Sequence, residues 1–407
     1  MLRAMLSAIS GLRAHQTMMD VVGHNIANVN TPGYKTSRVV FEEALSEVIG
    51  GSSQAGDDRG AINPIQLGLG AKVGAIDGVF TQGASQLTGR STDLAVQGEG
   101  FFVLSRAGER VYTRAGSFNF DSVGNLVAAG GSRVLGWQAQ DGVIDLGSPL
   151  TAIELPLSQV IAAQATSSVE FSGNLSASLA AGESHATTFY VFDSLGNEHE
   201  VLARFTNDAP NAWTLTVEVD GNAMTLSSAN VAFDTVGALT SDETISVSGW
   251  TPDGAEPLEF DLQFGGPSGI AQFAGESSAE SLSHDGRAIG YLRGFAIGED
   301  GTLTAHFSNG DTKAMARIAT ATFENPSGLI RMGDSAFIAS LASGEANIGS
   351  PGTGDRGLMR SGTLELSNVD LALEFTNLII AQRGFQANGR VITASDEVLA
   401  DLVNLKR

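Results

Sequence analysis

Six histidines, His15, His24, His185, His199, His284 and His306, are the first candidates for metal or acid–base chemistry. None pairs with another at i, i+4, and no HExxH run puts two imidazoles on one helical turn, so the spacing offers no zinc site. Cysteine is absent, which removes thiolate ligands, disulfides and a thiol nucleophile together. Gly349-Ser350-Pro351-Gly352-Thr353-Gly354 starts like a phosphate loop, yet Asp355 stands where the lysine must be, and an acid there repels phosphate. The run Asp-Ser-x-Gly-Asn occurs at 121–125 and 193–197, each time after a phenylalanine. Calcium would need the alternating carboxylates of an EF-type loop, which neither copy has, so each reads as a glycine-containing hairpin turn. There is no GxSxG elbow. Carboxylates are abundant enough that any chosen pair is more simply a solvated face than a catalytic dyad. The sequence predicts no enzyme, no cofactor and no metal.

The elements that carry these residues follow from composition. The chain has 407 residues with 42% hydrophobic and 17% charged, ample for two or three folded domains and inconsistent with disorder throughout. Fifty glycines suggest many tight turns between short strands. The net charge of −22 is concentrated: residues 141–280 hold twenty Asp and Glu against one basic residue, Arg204. That stretch reads as a separate acidic domain, and its field excludes nucleic acid as a partner. Strand alternation is dense from about 71 to 366. Leu258, Phe260, Leu262 and Phe264 alternate with polar residues, as do Trp213, Leu215, Val217 and Val219. Thr302–Phe307 runs into Ser308-Asn309-Gly310-Asp311, an Asn-Gly hairpin signal. Residues 50–56, Gly-Gly-Ser-Ser-Gln-Ala-Gly, read as linker. No cleavable signal and no membrane-spanning run are visible, so no membrane insertion is expected.

The two ends predict helices. Leu2, Met5, Ile9, Leu12, Met19 and Ile26 keep the 3,4 step of a heptad seam, with Gln16 and Gly23 at the skipped positions. Leu371, Phe375, Leu378, Phe385, Ile392, Leu399 and Val403 keep the same step, interrupted by Gln382, Gly389 and Asp396. Asn368 is the expected N-cap of the second helix, after a strand-like Thr363–Leu366. That helix would reach about 57 Å, too long for one small domain to cover, which points to a seam completed by neighbouring subunits. The expected fold class is mostly β with terminal α-helices. Its parts are a helical coiled-coil assembly domain (1–30 plus 364–407), an extended linker (31–70), an inner β domain (71–144 plus 285–363) and an acidic outer β domain (145–284). Both β domains are expected to be barrel- or sandwich-like, one nested in the other.

Asn25-Ile26-Ala27-Asn28-Val29-Asn30-Thr31-Pro32-Gly33-Tyr34-Lys35 resembles the signature of the bacterial flagellar rod and hook axial proteins. Physically it is a helix end: Pro32 disfavours helix at Thr31, Gly33 permits a turn, and Tyr34 restarts apolar contact. Asp93–Leu104 and Tyr112-Thr113-Arg114-Ala115-Gly116 resemble the family's first β segments. The C-terminal match includes Ser367-Asn368-Val369-Asp370-Leu371, Glu374–Ile379, Gln382-Arg383-Gly384-Phe385-Gln386-Ala387-Asn388 and Leu402–Leu405. The resemblance covers about 1–145 and 285–407. Phe192–Asn197, Gly298–Gly301 and the large insertion are similar to hook rather than rod members, with a distal rod protein as the alternative. The resemblance implies a structural subunit that self-assembles into the hook, a flexible tubular joint carrying torque from rod to filament. It also implies partners in the rod, the hook cap, the hook–filament junction proteins and the type III export apparatus. Localisation would be extracellular, in the flagellum, without a cleaved signal.

Overall fold

The computed structural model describes residues 2–52, 63–156, 160–266 and 269–404. The chain divides into two compact units: residues 1–156, 295–304 and 314–407 form the first, residues 157–294 and 305–313 the second. The acidic unit thus begins at Leu157 rather than 145, because Thr151–Ala152 still pairs with Arg133–Gln138 of the first unit. The helices and the inner β strands share one unit, where the sequence suggested two domains.

In the first unit, α1 (Leu2–Ala27) and α2 (Leu371–Asn404) are the only helices longer than one turn among the described residues. They run antiparallel: Gly11 meets Asn388, His15 meets Gly384, and Asn25 bonds Glu374. A methyl group on Gly384 would fall 2.4 Å from His15 Nε2, so this approach relies on small residues. Ala8, Ala14, Val22 and Ala381 are the apolar helix residues that are buried. The N-cap of α2 is Asp370, not Asn368: Asp370 Oδ1 accepts hydrogen bonds from the backbone N–H groups of Ala372 (2.8 Å) and Leu373 (3.2 Å). Asn368 lies two residues too early and has another task, described below.

Within the expected extended linker 31–70, the described residues 37–43, 46–50 and 65–68 are strands of a β ribbon, and 53–62 lie outside the described residues. Strand β1 (Ser37–Glu43) pairs antiparallel with β4 (Ala71–Gly78), and β2 (Ser46–Gly50) with β3 (Ile65–Gly68). Glycine at 50 and 51 drew the linker reading, but Val39, Val40, Val48 and Ile49 supply β-branched strand residues. Positions 53–56 of that reading lie outside the described residues.

Beyond the ribbon come β5 (Ser85–Leu87), β6 (Leu94–Gln97), β7 (Phe101–Arg106) and β8 (Glu109–Thr113). Strand β5 pairs with Thr363–Glu365 and β6 with Leu358–Ser361, so late sequence closes onto early sequence. The β7–β8 hairpin joins Arg133–Gln138, Thr320–Thr322 and Ala336–Ile338. Phe101, Val103, Tyr112, Trp137, Phe323 and Phe337 form its core, with ring pairs packed edge to face.

The second unit is built from a five-stranded and a six-stranded sheet enclosing one apolar core. The alternation read from sequence holds there: Trp213, Leu215, Val217, Val219, Leu258, Phe260, Leu262 and Phe264 are all buried. Phe171 stands at the centre, its ring 5.4 Å from Phe189 and 5.2 Å from Phe264. The aspartates of the two Asp-Ser-x-Gly-Asn runs close hairpin turns, as expected. Asp121 Oδ1 accepts from Val123 N and Asn125 N, and Asp193 Oδ1 from Leu195 N and Asn197 N. Asp121 Oδ2 accepts from Asn125 Nδ2, and Asp193 Oδ2 from Asn197 Nδ2, with His199 Nε2 3.3 Å away. The Asn309-Gly310 turn also forms, with Gly310 at φ +87°.

Candidate functional site: a buried polar joint

Motif residues from both ends of the chain converge where α1 ends and α2 begins. Helix α1 stops as Asn28 Nδ2 caps the His24 carbonyl (2.9 Å) and Thr31 Oγ1 donates to Asn28 Oδ1 (3.1 Å). Pro32 then blocks further helix. Gly33 takes φ +67° and donates its N–H to the Glu365 carbonyl at 2.8 Å. A Cβ there would sit 2.4 Å from Ala115 N, so only glycine fits.

Asn25 is fully buried and ties three segments together. Its amide NH₂ donates to Ser37 O (2.8 Å) and Glu374 Oε1 (3.0 Å), which fixes its oxygen as acceptor for Ser37 N and Tyr34 Oη, each at 3.0 Å. Since the Tyr34 hydroxyl proton goes to Asn25, His24 must donate Nδ1–H to Tyr34 Oη, 2.8 Å away. Burial raises the Tyr34 pKa, and the Arg331 guanidinium partly opposes this. Asn368 bridges across: its oxygen accepts from Thr36 N (2.8 Å), and its NH₂ donates to Val79 O (2.9 Å) and Thr81 O (3.2 Å).

Behind this lies an ionic cluster with almost no exposure. Lys35 Nζ donates to Glu365 Oε1 at 2.5 Å and to Thr81 O at 2.7 Å. Arg114 reaches Glu365 Oε2 at 3.3 Å and Gly98 O at 2.8 Å, lying over the Phe101 ring. Burial lowers the pKa of both cations, with Glu365 opposing the shift. Gly83 N also donates to Glu365 Oε1, at 2.8 Å. Such a cluster contributes little net stability over an apolar replacement, but it accepts few alternative arrangements.

Sequence reasoning singled out Asn25, Asn28, Thr31, Pro32, Gly33, Tyr34, Asn368 and Asp370, and the structure brings them to this joint. Gln382 and Arg383 do not join it; both are exposed on α2. Glu365, Arg114, Glu374 and Arg331 were not singled out as site residues. A partial signal existed for Glu365, which alternation in Thr363–Glu365 places on the inward side with Thr363. The proposed seam residues lie elsewhere. Leu371, Phe375 and Phe385 are exposed, while Met5, Ile9, Leu12, Met19, Ile26, Leu378, Ile392 and Leu399 are half-buried. Leu2 and Val403 are helical, with side chains outside the described residues. Gly23 and Gly389 have open space beside them, so the heptad face is not the face that joins α1 to α2.

A polar joint locks the two chain ends together on a β-rich body that carries an inserted acidic unit. Matching family models follow one another along the chain. They are the flagella basal body rod protein at 5–35, the flagellar hook protein FlgE/F/G D1 domain at 95–177, the flagellar basal body protein FlaE D2 domain at 174–287, and the flagellar basal body rod FlgEFG protein C-terminal at 360–405. Flagellar hook protein FlgE of Borreliella burgdorferi is 39% identical over 443 residues, covering 100% of both chains. Flagellar basal-body rod protein FlgG of Bacillus subtilis is 30% identical over 408 residues, again covering 100% of both, which leaves the rod reading less supported. Flagellar hook protein FlgE2 of Helicobacter pylori shares the fold, with a TM-score of 0.52 at 14% identity over 68% of this chain and 99% of that one. The chain belongs to the flagellar hook protein FlgE family and is a structural subunit of the flagellar axial structure.

Proposed function

We propose that copies of this chain polymerise into a curved, flexible tube that carries torque from the rod to the filament. The observation that carries this reading is the outward face of α2. That helix has 34 residues, about 51 Å, and exposes Leu371, Phe375, Ile379, Ile380 and Phe385 while its contact with α1 is made by small and polar side chains. Large apolar side chains left open at Leu371, Phe375, Ile379 and Phe385 along one side of a helix mark an interaction surface. Neighbouring copies cover it, and the heptad positions from Met5 to Leu399 form the seam. The joint at Asn25, Tyr34 and Lys35 aims both helices together, so that the seam reaches the next copy in one register. The working partners are then the rod, the hook cap, the hook–filament junction proteins and the type III export apparatus. The subunit acts outside the cell, exported without a cleaved signal. No enzymatic step belongs to this role.

Electron microscopy of the purified protein after concentration tests the reading. Curved tubes are expected, and Leu378→Asp or Leu399→Asp should abolish them while near-UV circular dichroism of the β units stays unchanged. A concentrated native protein that forms no tubes overturns it.

A further inference from the structure

Beside the joint is a cavity of about 610 Å³. The Pro32–Tyr34 loop, the 128–130 turn and the Gly333–Ser335 hairpin turn wall it. Its charge runs against that of the chain. In a protein with 45 acidic and 23 basic residues, the cavity is lined by His24, Lys35, Arg106 and Arg331 but by one acid, Asp334. Lys35 is committed to Glu365, and Arg106 pairs with Asp334 at 2.9 Å. Arg331 pairs with no carboxylate among the described residues; its Nη2 donates to the Lys35 carbonyl. The guanidinium is held over the Tyr34 ring at 5.2 Å and lies 5.7 Å from the Phe337 centroid. A guanidinium has five N–H donors; the Lys35 carbonyl and the Tyr34 side chain engage part of that set, and stacking fixes its position. The turn opposite is strained: Asp334 at φ +53° and Ser335 at φ +55° are consecutive left-handed residues where a two-residue hairpin prefers Asn-Gly. Thr113 Oγ1, donating to Ser335 O at 2.8 Å, holds that turn in place.

We propose that Arg331 receives a carboxylate from the acidic 141–280 stretch of a second copy when copies assemble, and that this stretch fills the cavity. The inference rests on the polymerisation reading above. Charge complementarity selects the occupant. Residues 141–280 carry twenty acids against Arg204 alone, so most of those carboxylates have no basic partner within their own stretch. A preordered guanidinium that meets such a carboxylate as water leaves gains more than an exposed pair does.

Two measurements on the full chain test it. The absence of cysteine makes an introduced thiol unique, and Ala129 is an exposed residue of the cavity wall. Ala129→Cys should react with a maleimide freely as monomer and at least tenfold more slowly in tubes. Second, tubes of Arg331→Lys are assembled from equal parts of natural-abundance and ¹⁵N-labelled chains and treated with a water-soluble carbodiimide. The reagent activates a carboxylate, the lysine amine displaces the urea, and an amide forms. Mass spectrometry should then find position 331 joined to a peptide from 141–280, with about half of the pairs carrying mixed isotopes. Tubes that form but label at the monomer rate overturn the proposal and leave the polymerisation reading standing. Protection with no cross-link to 141–280, or cross-links carrying one isotope only, also overturns it by excluding a second copy's carboxylate. Failure to form any tube removes both readings together.

Discussion

The acidic unit and the joint hold themselves together by opposite means. In the acidic unit, large apolar side chains alternate along each strand and meet in one core around Phe171, Phe205 and Trp213, while the carboxylates, apart from Asp193 buried in its turn, stay outside. In the joint, the fully enclosed groups are polar or ionic: Asn25, Lys35 and Glu365 are each at most 1% exposed. Apolar packing tolerates volume-conserving change, whereas a buried ionic cluster tolerates almost no loss of a partner. The acidic unit is therefore built to be stable, and the joint to have a single geometry.

Removing one member of the cluster should have the largest effect. Glu365→Ala strands Lys35 and Arg114 without their carboxylate and should cost at least about 3–5 kcal/mol. The triple replacement Lys35→Met, Arg114→Met, Glu365→Leu should recover most of that loss. Guanidinium melts read this by the fluorescence of Trp137, which lies in the first unit, whereas Trp213 and Trp250 report the second. Additive losses in the triple variant would mean that the cluster is held by something other than its mutual pairing.

Trp213→Ala should cost about 3–5 kcal/mol through the cavity it leaves. Volume-conserving exchanges such as Leu215→Met should cost below about 1.5 kcal/mol. Followed by near-UV circular dichroism, that contrast is what a packed apolar core predicts and a polar lock does not.

Acid should reach the turns of the acidic unit next. Burial alone would raise the Asp193 pKa, but hydrogen bonds from Asn197, His199 and Leu195 outweigh it and hold it below the ordinary value. The folded carboxylate thus adds stability above about pH 4, the unfolded carboxylate range, and loses it as pH falls through the lower folded value. Asp193→Ala should remove about 1–2 kcal/mol at pH 7 and flatten the acid limb of a stability–pH curve. A variant with an unchanged acid limb would break this reading of the turn. The smallest effect belongs to the N-cap: Asp370→Ala should lower stability by about 1 kcal/mol, against a few tenths for Asp370→Gly. Thermal melts at 222 nm resolve the difference.

The same contrast explains what could be read from sequence. The acidic unit was legible because burial there follows a period of two, and Leu258 to Phe264 carry that pattern openly. The Asp121 and Asp193 turns were legible because their bonds are local. The cluster was not, since Lys35 and Glu365 stand 330 positions apart and only the fold makes them neighbours. Pairing of β1 with β4 was hidden by the glycines between them, and Asp370 was passed over as N-cap because Asn two residues earlier has the same propensity. Helical periodicity at the termini was plain. Which face meets which was not, because Gly11, His15, Gly384 and Asn388 do not stand out by hydrophobicity.

The central claim is that α1 and α2 touch through small and polar residues and leave their apolar side for other copies. Hydrogen exchange of the α2 backbone, read peptide by peptide over residues 371–404 in dilute monomer and in tubes, tests it most directly. The account predicts fast exchange in the monomer beyond the joint-anchored first turns, and at least a hundredfold slowing once tubes form. Equal protection in both states would contradict it, since α2 would then owe its stability to its own chain alone.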